Sequence, residues 1–268
     1  VIIDTDSPVD NILIKNGWAY GVQLENGEVL EADTIASNLN PSLLFSKLVD
    51  DEHLPADFKR RIANYKNGSG TFRMNVALKT LPKFTCLKKQ QRATEGHLTG
   101  GIIIGSTEAY IDKAYRDAKD IGWSKAPIVE MLIPSTVDDT LAPKGKHVAS
   151  LFCQQFDPSV DWDKHRNKVA DMIINQVDKF APGIKKSVLG RQIMSPLDLE
   201  RTFGLTGGDI MHGHLSLDQM FSARPMLGHG DYRTPIHGLY MCGAGTHPGG
   251  GVTGAPGHNA AKEIIRDL

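Results

Sequence analysis

The stretch GLYMCGAGTHPGGGVTGAPGHNAA, residues 238–261, decides the fold of this 268-residue chain. It predicts a short buried strand over 239–245, a glycine loop over 246–251 and a terminal helix over 254–268, whose apolar residues recur at helical spacing. Residues 204–257 hold 14 of the 27 glycines of the chain. Because glycine lets another group approach the main chain closely, this concentration indicates a loop that faces a ligand.

Residues 249–254 match the pattern G-x-G-x-x-G between a strand and a helix. In a complete Rossmann unit a second strand follows, and an acidic residue stands about 20 positions further on. Only 14 residues follow Gly254, so the match is not the first βαβ unit of a dinucleotide site. The loop still leads into a helix N-terminus, with Thr253 as a cap and Pro256 in the first turn, where free main-chain N–H groups attract negative charge.

Upstream, residues 1–40 alternate between strand-like runs and turn signals. The Asn-Gly pairs at 16–17 and 26–27 are typical of tight hairpin turns, because both central positions of a type I′ turn need positive φ. The strand-like runs are 9–14, 18–24 and 29–36. Three strands joined by two tight turns predict a β-meander.

Residues 41–234 have the texture of a separate α+β unit. Helices are expected to begin at Asn40-Pro41, where Asn is a cap and Pro takes the first helical position, and at Pro55. Further helices are expected over 108–122 and 162–180, and strands over 71–78, 101–104, 128–133 and 147–154.

Composition excludes several function classes. The chain has 30 Lys plus Arg against 31 Asp plus Glu, so it has no strong basic field for nucleic acid. Its apolar runs are too short for a transmembrane segment. The three cysteines, Cys86, Cys153 and Cys242, are far apart, which argues against a disulfide framework, a CxxC pair or a Cys-rich zinc site. No G-x-S-x-G elbow of a hydrolase is present.

A second distinctive patch precedes the glycine stretch: GGDIMHG at 207–213, SLDQ at 216–219 and Arg224-Pro225. Together with residues 238–261 and the meander, it resembles the phytoene-dehydrogenase-like FAD oxidoreductases. Within them, the sequence is most similar to the group of pyridine nucleotide-disulfide oxidoreductase domain-containing protein 2. The resemblance covers essentially the whole chain, and its C-terminal motif is fairly specific.

The resemblance implies an α/β fold with an α+β substrate domain: an amine-oxidase-like FAD/NAD(P)-binding fold whose N-terminal dinucleotide-binding half is missing here. Region 1–40 (meander and return strand) and region 235–268 (strand, loop and helix) would belong to the FAD domain, and 41–234 would be the substrate domain. The resemblance implies that adenine lies against Val9 and near Ser37 and Asn38. The ribityl and pyrophosphate groups would pass Gly243, Ala244 and Gly245. The flavin N1 and C2 carbonyl edge would meet Gly251, Val252 and Thr253.

By the same resemblance, the intact protein is expected to transfer hydride from a C–H bond of an unknown substrate to flavin N5, with a small, apolar molecule as one candidate. The alternative hypothesis is a catalytically weak flavin-fold protein that binds or regulates a protein partner. The catalytic residues are unknown, with His212 and His247 as candidates; His247 could instead tie the loop down. Because the family's N-terminal G-x-G-x-x-G and acidic ribose partner do not occur here, we expect these residues alone to bind FAD weakly or not at all and to be inactive.

Other polar residues of the second patch allow simpler interpretations. His212 and His214 form an H-x-H pair, but no further ligand stands at zinc-site spacing, so no metal site is predicted. We interpret Asp209, Gln219 and Arg224 as structural pairs rather than catalytic groups. The sequence leaves the compartment open between cytoplasm, organelle matrix and the membrane periphery.

Overall fold

The computed structural model describes residues 1–68, 70–88, 95–105 and 107–268. The chain forms two compact units: unit 1 comprises Val1–Ser69 and Asp209–Leu268, and unit 2 comprises Gly70–Gly208. Unit 2 is therefore an insertion in the sequence of unit 1. The boundaries expected from the sequence differ from these, because 41–68 and 209–234 lie with unit 1 rather than with the middle region.

Strands and helices occur in both units. In chain order the strands are β1 (Val9–Lys15), β2 (Trp18–Leu24), β3 (Val29–Glu31), β4 (Ile35–Ser37), β5 (Thr71–Leu78), β6 (Ile102–Ile104), β7 (Trp123–Leu132), β8 (His147–Phe156), β9 (Val188–Met194) and β10 (Leu239–Met241). The helices are α1 (Pro41–Leu43), α2 (Ala56–Ile62), α3 (Glu108–Ile121), α4 (Trp162–Phe180), α5 (Ile184–Ser187), α6 (Pro196–Phe203) and α7 (Ala255–Asp267). The predicted strand over 71–78 and helix over 162–180 are confirmed at both bounds, whereas the sequence pattern predicts neither β9 nor α6.

The predicted β-meander is the antiparallel sheet β1-β2-β3 of unit 1. Its first turn is of the predicted kind, since Asn16 and Gly17 have φ values of 52° and 79°. The second turn differs: Gly27 has a φ of 88°, but Asn26 does not have a positive φ. There, the Gly27 N–H donates to the Leu24 carbonyl at 2.9 Å.

The single strand predicted over 29–36 is two strands. β3 ends at Glu31, and β4 leaves the meander to pair in parallel with β10. Because the pair is parallel, the carboxyl ends of β4 and β10 lie side by side. The segments that begin at residues 38 and 242 therefore leave the sheet together.

The segment after β4 packs into the core of unit 1. The predicted cap is present, as the Asn40 side chain accepts the Ser42 N–H at 2.8 Å. α1 runs directly into one π-helical turn, Leu44–Leu48. Phe45 of this turn and Phe58 of α2 are buried with ring centroids 4.7 Å apart, in the same core as β10. This shared core is why 41–68 belongs to unit 1.

Unit 2 is built on one antiparallel sheet in the order β6-β7-β8-β5-β9. β5 pairs with β8 over its whole length, from Thr71 opposite Gln154 to Leu78 opposite His147. Helix α4 covers this core. Asp161 caps its N-terminus, because the Asp161 side chain accepts the Lys164 N–H at 3.2 Å. Helical spacing predicts a stripe of Val169, Ile173, Val177 and Phe180; the first three are buried, and Phe180 is partly buried against the same core.

We expect Ile173→Ala to lower the free energy of unfolding by about 2–5 kcal/mol, because it leaves a cavity around a fully buried position. Asn167→Ala, at an exposed position of the same helix, is the control and should change that free energy by less than about 0.5 kcal/mol. Urea denaturation followed by tryptophan fluorescence measures both. A loss below about 1 kcal/mol for Ile173→Ala would contradict the core assignment.

Candidate cofactor-binding site

The carboxyl ends of β4 and β10 form the frame of the candidate site. Cys242 donates its N–H to the Ser37 carbonyl at 2.9 Å, so the parallel pairing continues past the end of β10. Beyond this bond the chain continues to Asn38 on one side and to Gly243 on the other. Ligands of α/β sheets bind at the carboxyl ends of parallel strands, so this edge of the sheet is the candidate binding site.

Two glycines after β10 are required by close packing within unit 1. A Cβ on Gly243 would lie 2.4 Å from the Asn38 carbonyl oxygen, and a Cβ on Gly245 would lie 2.4 Å from Cδ of Pro41. Both distances are far below an ordinary contact. The segment after β10 therefore runs directly against the segment after β4, and the residues implied for pyrophosphate lie beside Asn38, one of those implied for adenine.

The last part of the glycine loop presents its main chain to solvent. Val252 is fully exposed with a φ of 57°, a left-handed conformation that β-branched residues rarely adopt. The predicted cap at Thr253 is wrong, because Gly254 is the N-cap of the following helix and makes no side-chain cap hydrogen bond; Thr253, one position earlier, accepts the Ala255 N–H with its Oγ1 at 3.2 Å. Backbone strain of this kind concentrates at ligand sites. Residues 251–253 are thus exposed where the chain enters the N-terminus of α7.

A cavity of about 720 Å³ opens beside β4. Its lining includes Val9, Ser37 and Asn38, the three residues that the resemblance implies for adenine. Lys47 and Leu48 of the π-helical turn also line it, which no sequence signal indicates because their position depends on tertiary packing. The volume lies within the range of roughly 300–1,000 Å³ that is usual for small-molecule pockets.

The turn over residues 209–213 is held by buried polar groups. Asp209 is fully buried. Its carboxylate accepts the main-chain N–H groups of Gly68, Met211 and Gly213, at 2.7, 2.8 and 3.1 Å. Tyr65 donates its OH to the His212 carbonyl at 2.8 Å. Burial raises the pKa of Tyr65 to about 12, so the phenol remains a donor at neutral pH.

This turn places His212 next to the segment after β4. Burial lowers the pKa of His212, while the Asp209 carboxylate and hydrogen bonding with the main chain of Asn38 and Leu39 act in the opposite direction. Its Nδ1 is buried and has no hydrogen-bond partner among the residues that the structure describes. The imidazole is therefore neutral near pH 7, and its Nδ1 is a buried polar atom without a partner in the described part of the chain.

We expect the free energy of unfolding to fall as the pH drops below the ordinary histidine range. Because the folded state lowers the pKa of His212, the unfolded state binds more protons in this interval, so stability rises with pH. His212→Gln should weaken this dependence between about pH 5 and 7. Chemical denaturation across that range measures it, with His258→Gln, an exposed position on α7, as the control. Equal slopes for wild type and His212→Gln would contradict the expectation.

His247, the other candidate, is half-buried in the glycine loop. Its carbonyl accepts the Tyr232 OH at 2.9 Å, and Asn259 of α7 donates to the same phenol oxygen at 2.9 Å. Tyr232 thus connects the loop to the terminal helix through the main chain of His247. A role for the His247 side chain stays a prediction.

Gln219 and Arg224 hold main-chain groups rather than other side chains. The Gln219 amide accepts the Lys66 N–H at 2.7 Å and donates to the Lys66 carbonyl at 3.0 Å. Arg224 is only 1% exposed, and its guanidinium donates to four main-chain carbonyls. These are the carbonyls of Met211, Gly213, Gln219 and Ala244. The side chains of Gln219 and Arg224 therefore have a structural role, which is to hold the main chain through hydrogen bonds.

In the ranges that the structure describes, no group of three or more His, Cys, Asp or Glu side chains could hold a metal ion. Nor does any helix in these ranges have the length and apolar character needed to cross a bilayer. Cys242 is half-buried and Cys153 fully buried, and burial raises the pKa of both thiols.

Comparison with known proteins places these features in context. Pyridine nucleotide-disulfide oxidoreductase domain-containing protein 2 of Rattus norvegicus is 40% identical over 274 residues, covering 99% of this chain and 47% of that protein. The lycopene-forming phytoene desaturase of Pseudescherichia vulneris is 25% identical over 287 residues, covering 99% and 52%. Cyclohexylamine oxidase from Brevibacterium oxydans has a similar structure, with a TM-score of 0.55 at 15% identity over 98% of this chain and 49% of that one. No protein-family model matches the chain.

The discontinuous unit 1, with its meander, parallel strand pair and glycine loop, defines an amine-oxidase-like FAD/NAD(P)-binding fold of mixed α/β content, as predicted. The chain spans about half the length of the curated relatives that it matches. Over that part, it belongs to the phytoene-dehydrogenase-like oxidoreductases, in the group of pyridine nucleotide-disulfide oxidoreductase domain-containing protein 2.

Proposed function

We propose that the intact protein is an FAD-dependent oxidoreductase and that unit 1 contributes to its flavin site. The observation that carries this proposal is the meeting of two parallel strand ends, β4 and β10, beside a glycine loop that leads into the N-terminus of α7. Such a frame fits a dinucleotide, because main chain without Cβ atoms allows close approach and free N–H groups attract its negative charge.

The adenosine end would be held by Val9, Ser37 and Asn38. These three residues line one cavity, which supports the assignment. Val9 offers apolar surface to the face of a base, whereas Ser37 and Asn38 offer polar groups at the strand end. His212 interacts with the main chain of Asn38 and Leu39 at the same strand end, so we propose that it lies on the cofactor side of the site rather than the substrate side.

The ribityl and pyrophosphate groups would pass Gly243, Ala244 and Gly245. Beyond them, the exposed main chain of 251–253 would direct its N–H groups to the flavin N1 and C2 carbonyl edge. When bound, FAD would accept at N5 a hydride from a substrate C–H bond. Amide groups at the N-terminus of α7 stabilise negative charge, which the reduced ring carries at N1.

We further propose a small, apolar substrate. The phytoene desaturase among the relatives is named for a hydrocarbon, which supports this choice. Within the expected substrate domain 41–234, residues 70–208 form the separate unit 2, and we assign substrate binding to it. His247, in the glycine loop of unit 1, stays a candidate catalytic residue.

The test uses the full-length protein, purified and examined for flavin absorbance. Amine, polyene and fatty substrates are then added anaerobically. Bleaching of the flavin by any of them supports the oxidoreductase, because it reports transfer of electrons from substrate to cofactor. A bound flavin that is inert to all three classes would favour the alternative role in binding or regulating a protein partner. Full-length protein without flavin would contradict the proposal.

A further inference from the structure

We propose that Arg224 is a positioning residue for the cofactor: its guanidinium fixes the main chain at Ala244 and places a buried positive charge behind the segment that meets the flavin. This inference rests on the proposed function and deepens it. From the sequence alone, Arg224 is interpreted only as a structural residue.

The first support is the geometry of the hydrogen bonds. Nε and Nη2 of Arg224 both donate to the Ala244 carbonyl, at 3.0 and 2.8 Å. The other bonds run from Nη1 to the Gln219 carbonyl at 3.1 Å, and from Nη2 to the carbonyls of Met211 at 2.6 Å and Gly213 at 3.4 Å. One rigid, planar group thus joins the segment after β10 to the turn that carries His212. Ala244 cannot move without breaking two of these bonds.

The second support is the position of the guanidinium beneath the loop. A Cβ on Gly249 would lie 3.6 Å from the Arg224 Nε, in ordinary contact. Arg224 therefore lies against the chain both at Ala244, just before the glycine loop, and at Gly249 within it.

The third support is the burial of the charge. Arg224 is 1% exposed, and in the described part of the chain the hydrogen bonds of its guanidinium all go to main-chain carbonyls. The nearby Asp209 carboxylate is occupied by three N–H groups of its own. A buried charge is screened much less by salt than an exposed one. Its field should therefore favour both an anionic pyrophosphate and a reduced, anionic flavin.

Two substitutions distinguish the effect of the positive charge of Arg224 from the effect of its hydrogen-bond geometry. Arg224→Gln removes the charge but keeps a donor, whereas Arg224→Lys keeps the charge but loses the planar fork that holds Ala244. Arg60→Gln is the matched control, because it removes the same charge from an exposed side chain of α2 in the same unit. All are made in the full-length flavoprotein, and FAD affinity, flavin reduction potential and thermal stability are measured.

In Arg224→Gln, we expect a more negative reduction potential and FAD binding weakened at least about tenfold, since reduced flavin and pyrophosphate both lose a nearby cation. Arg224→Lys should keep the potential close to that of wild type but bind FAD more weakly, because Ala244 is no longer fixed. Arg60→Gln should change neither quantity. If the role of Arg224 were purely structural, both variants would lose thermal stability, but the reduction potential would not fall in Arg224→Gln while staying near wild type in Arg224→Lys.

Flavin-loaded Arg224→Gln with unchanged potential and affinity would overturn the inference and leave the proposed function standing. An equal shift in Arg60→Gln would also overturn it. If Arg224→Gln does not fold, Arg224→Lys decides the matter, because wild-type FAD affinity in that variant would exclude the positioning role. Wild-type full-length protein without flavin would refute the proposed function itself and the inference with it.

Discussion

Gly243→Ala is expected to abolish stable FAD binding by the full-length protein and to lower its free energy of unfolding by about 1–3 kcal/mol. The added Cβ would lie 2.4 Å from the carbonyl oxygen of Asn38 and 2.9 Å from its Cα. Since these atoms belong to the main chain, no side chain can move aside to make room. The ends of β4 and β10 would have to separate, which strains the hydrogen bond from Cys242 to Ser37.

Gly190→Ala on β9 is the matched control, because a Cβ there meets nothing within 4 Å. It should change the free energy of unfolding by less than about 0.5 kcal/mol and leave FAD binding unchanged. Thermal denaturation and titration with FAD, followed by the fluorescence of the flavin, measure both variants. If Gly243→Ala binds FAD like wild type, the close contact after β10 has no part in the site.

Asp209→Ala is expected to lower the free energy of unfolding by about 3 kcal/mol or more. The stability falls because three main-chain N–H groups donate hydrogen bonds to the Asp209 carboxylate in the folded state. Without that carboxylate they would remain buried without a partner. The turn over 209–213 would loosen as a result, and His212 would lose its fixed place beside Asn38. We therefore expect weaker FAD binding in the full-length protein as well.

Asp209→Asn should lie between wild type and Asp209→Ala, because its amide keeps one acceptor oxygen. Asp57→Ala is the control: that carboxylate is exposed and pairs with Arg60 on the surface of α2, where an ion pair contributes less than about 1 kcal/mol. Urea denaturation compares the three. An Asp209→Ala variant as stable as the Asp57→Ala control would show that the buried hydrogen bonds can be replaced by water.

The turns, caps and helices that the sequence predicts correctly are those that depend on residues close together in the chain. The turn at Asn16-Gly17, the cap at Asn40 and the helix over 162–180 each follow from a few neighbouring residues or from helical spacing. The separation of β3 from β4 could not be predicted in this way, because β4 is defined by its pairing with β10. The extent of the compact units depends on tertiary packing in the same way: Phe45, beyond the expected boundary at residue 41, belongs to a core whose other side comes from the far end of the sequence.

The candidate site was predictable as a region rather than as a set of contacts. Glycine density and the resemblance located the loop, and the structure places Val9, Ser37 and Asn38 around one cavity. The position of His212 and the main-chain hydrogen bonds of Arg224 depend on distances between segments that have no sequence period. Cofactor contacts at Gly251, Val252 and Thr253 remain predictions.

The parallel pairing of β4 with β10 has a consequence for synthesis of the protein. Ile35 and Leu239 are 204 positions apart (239 minus 35), so β4 leaves the ribosome long before its partner is translated. Until then its hydrogen-bonding edge is open to any other nascent strand. A premature stop between the two would release a polypeptide with an unprotected edge, which chaperones or proteases would have to remove.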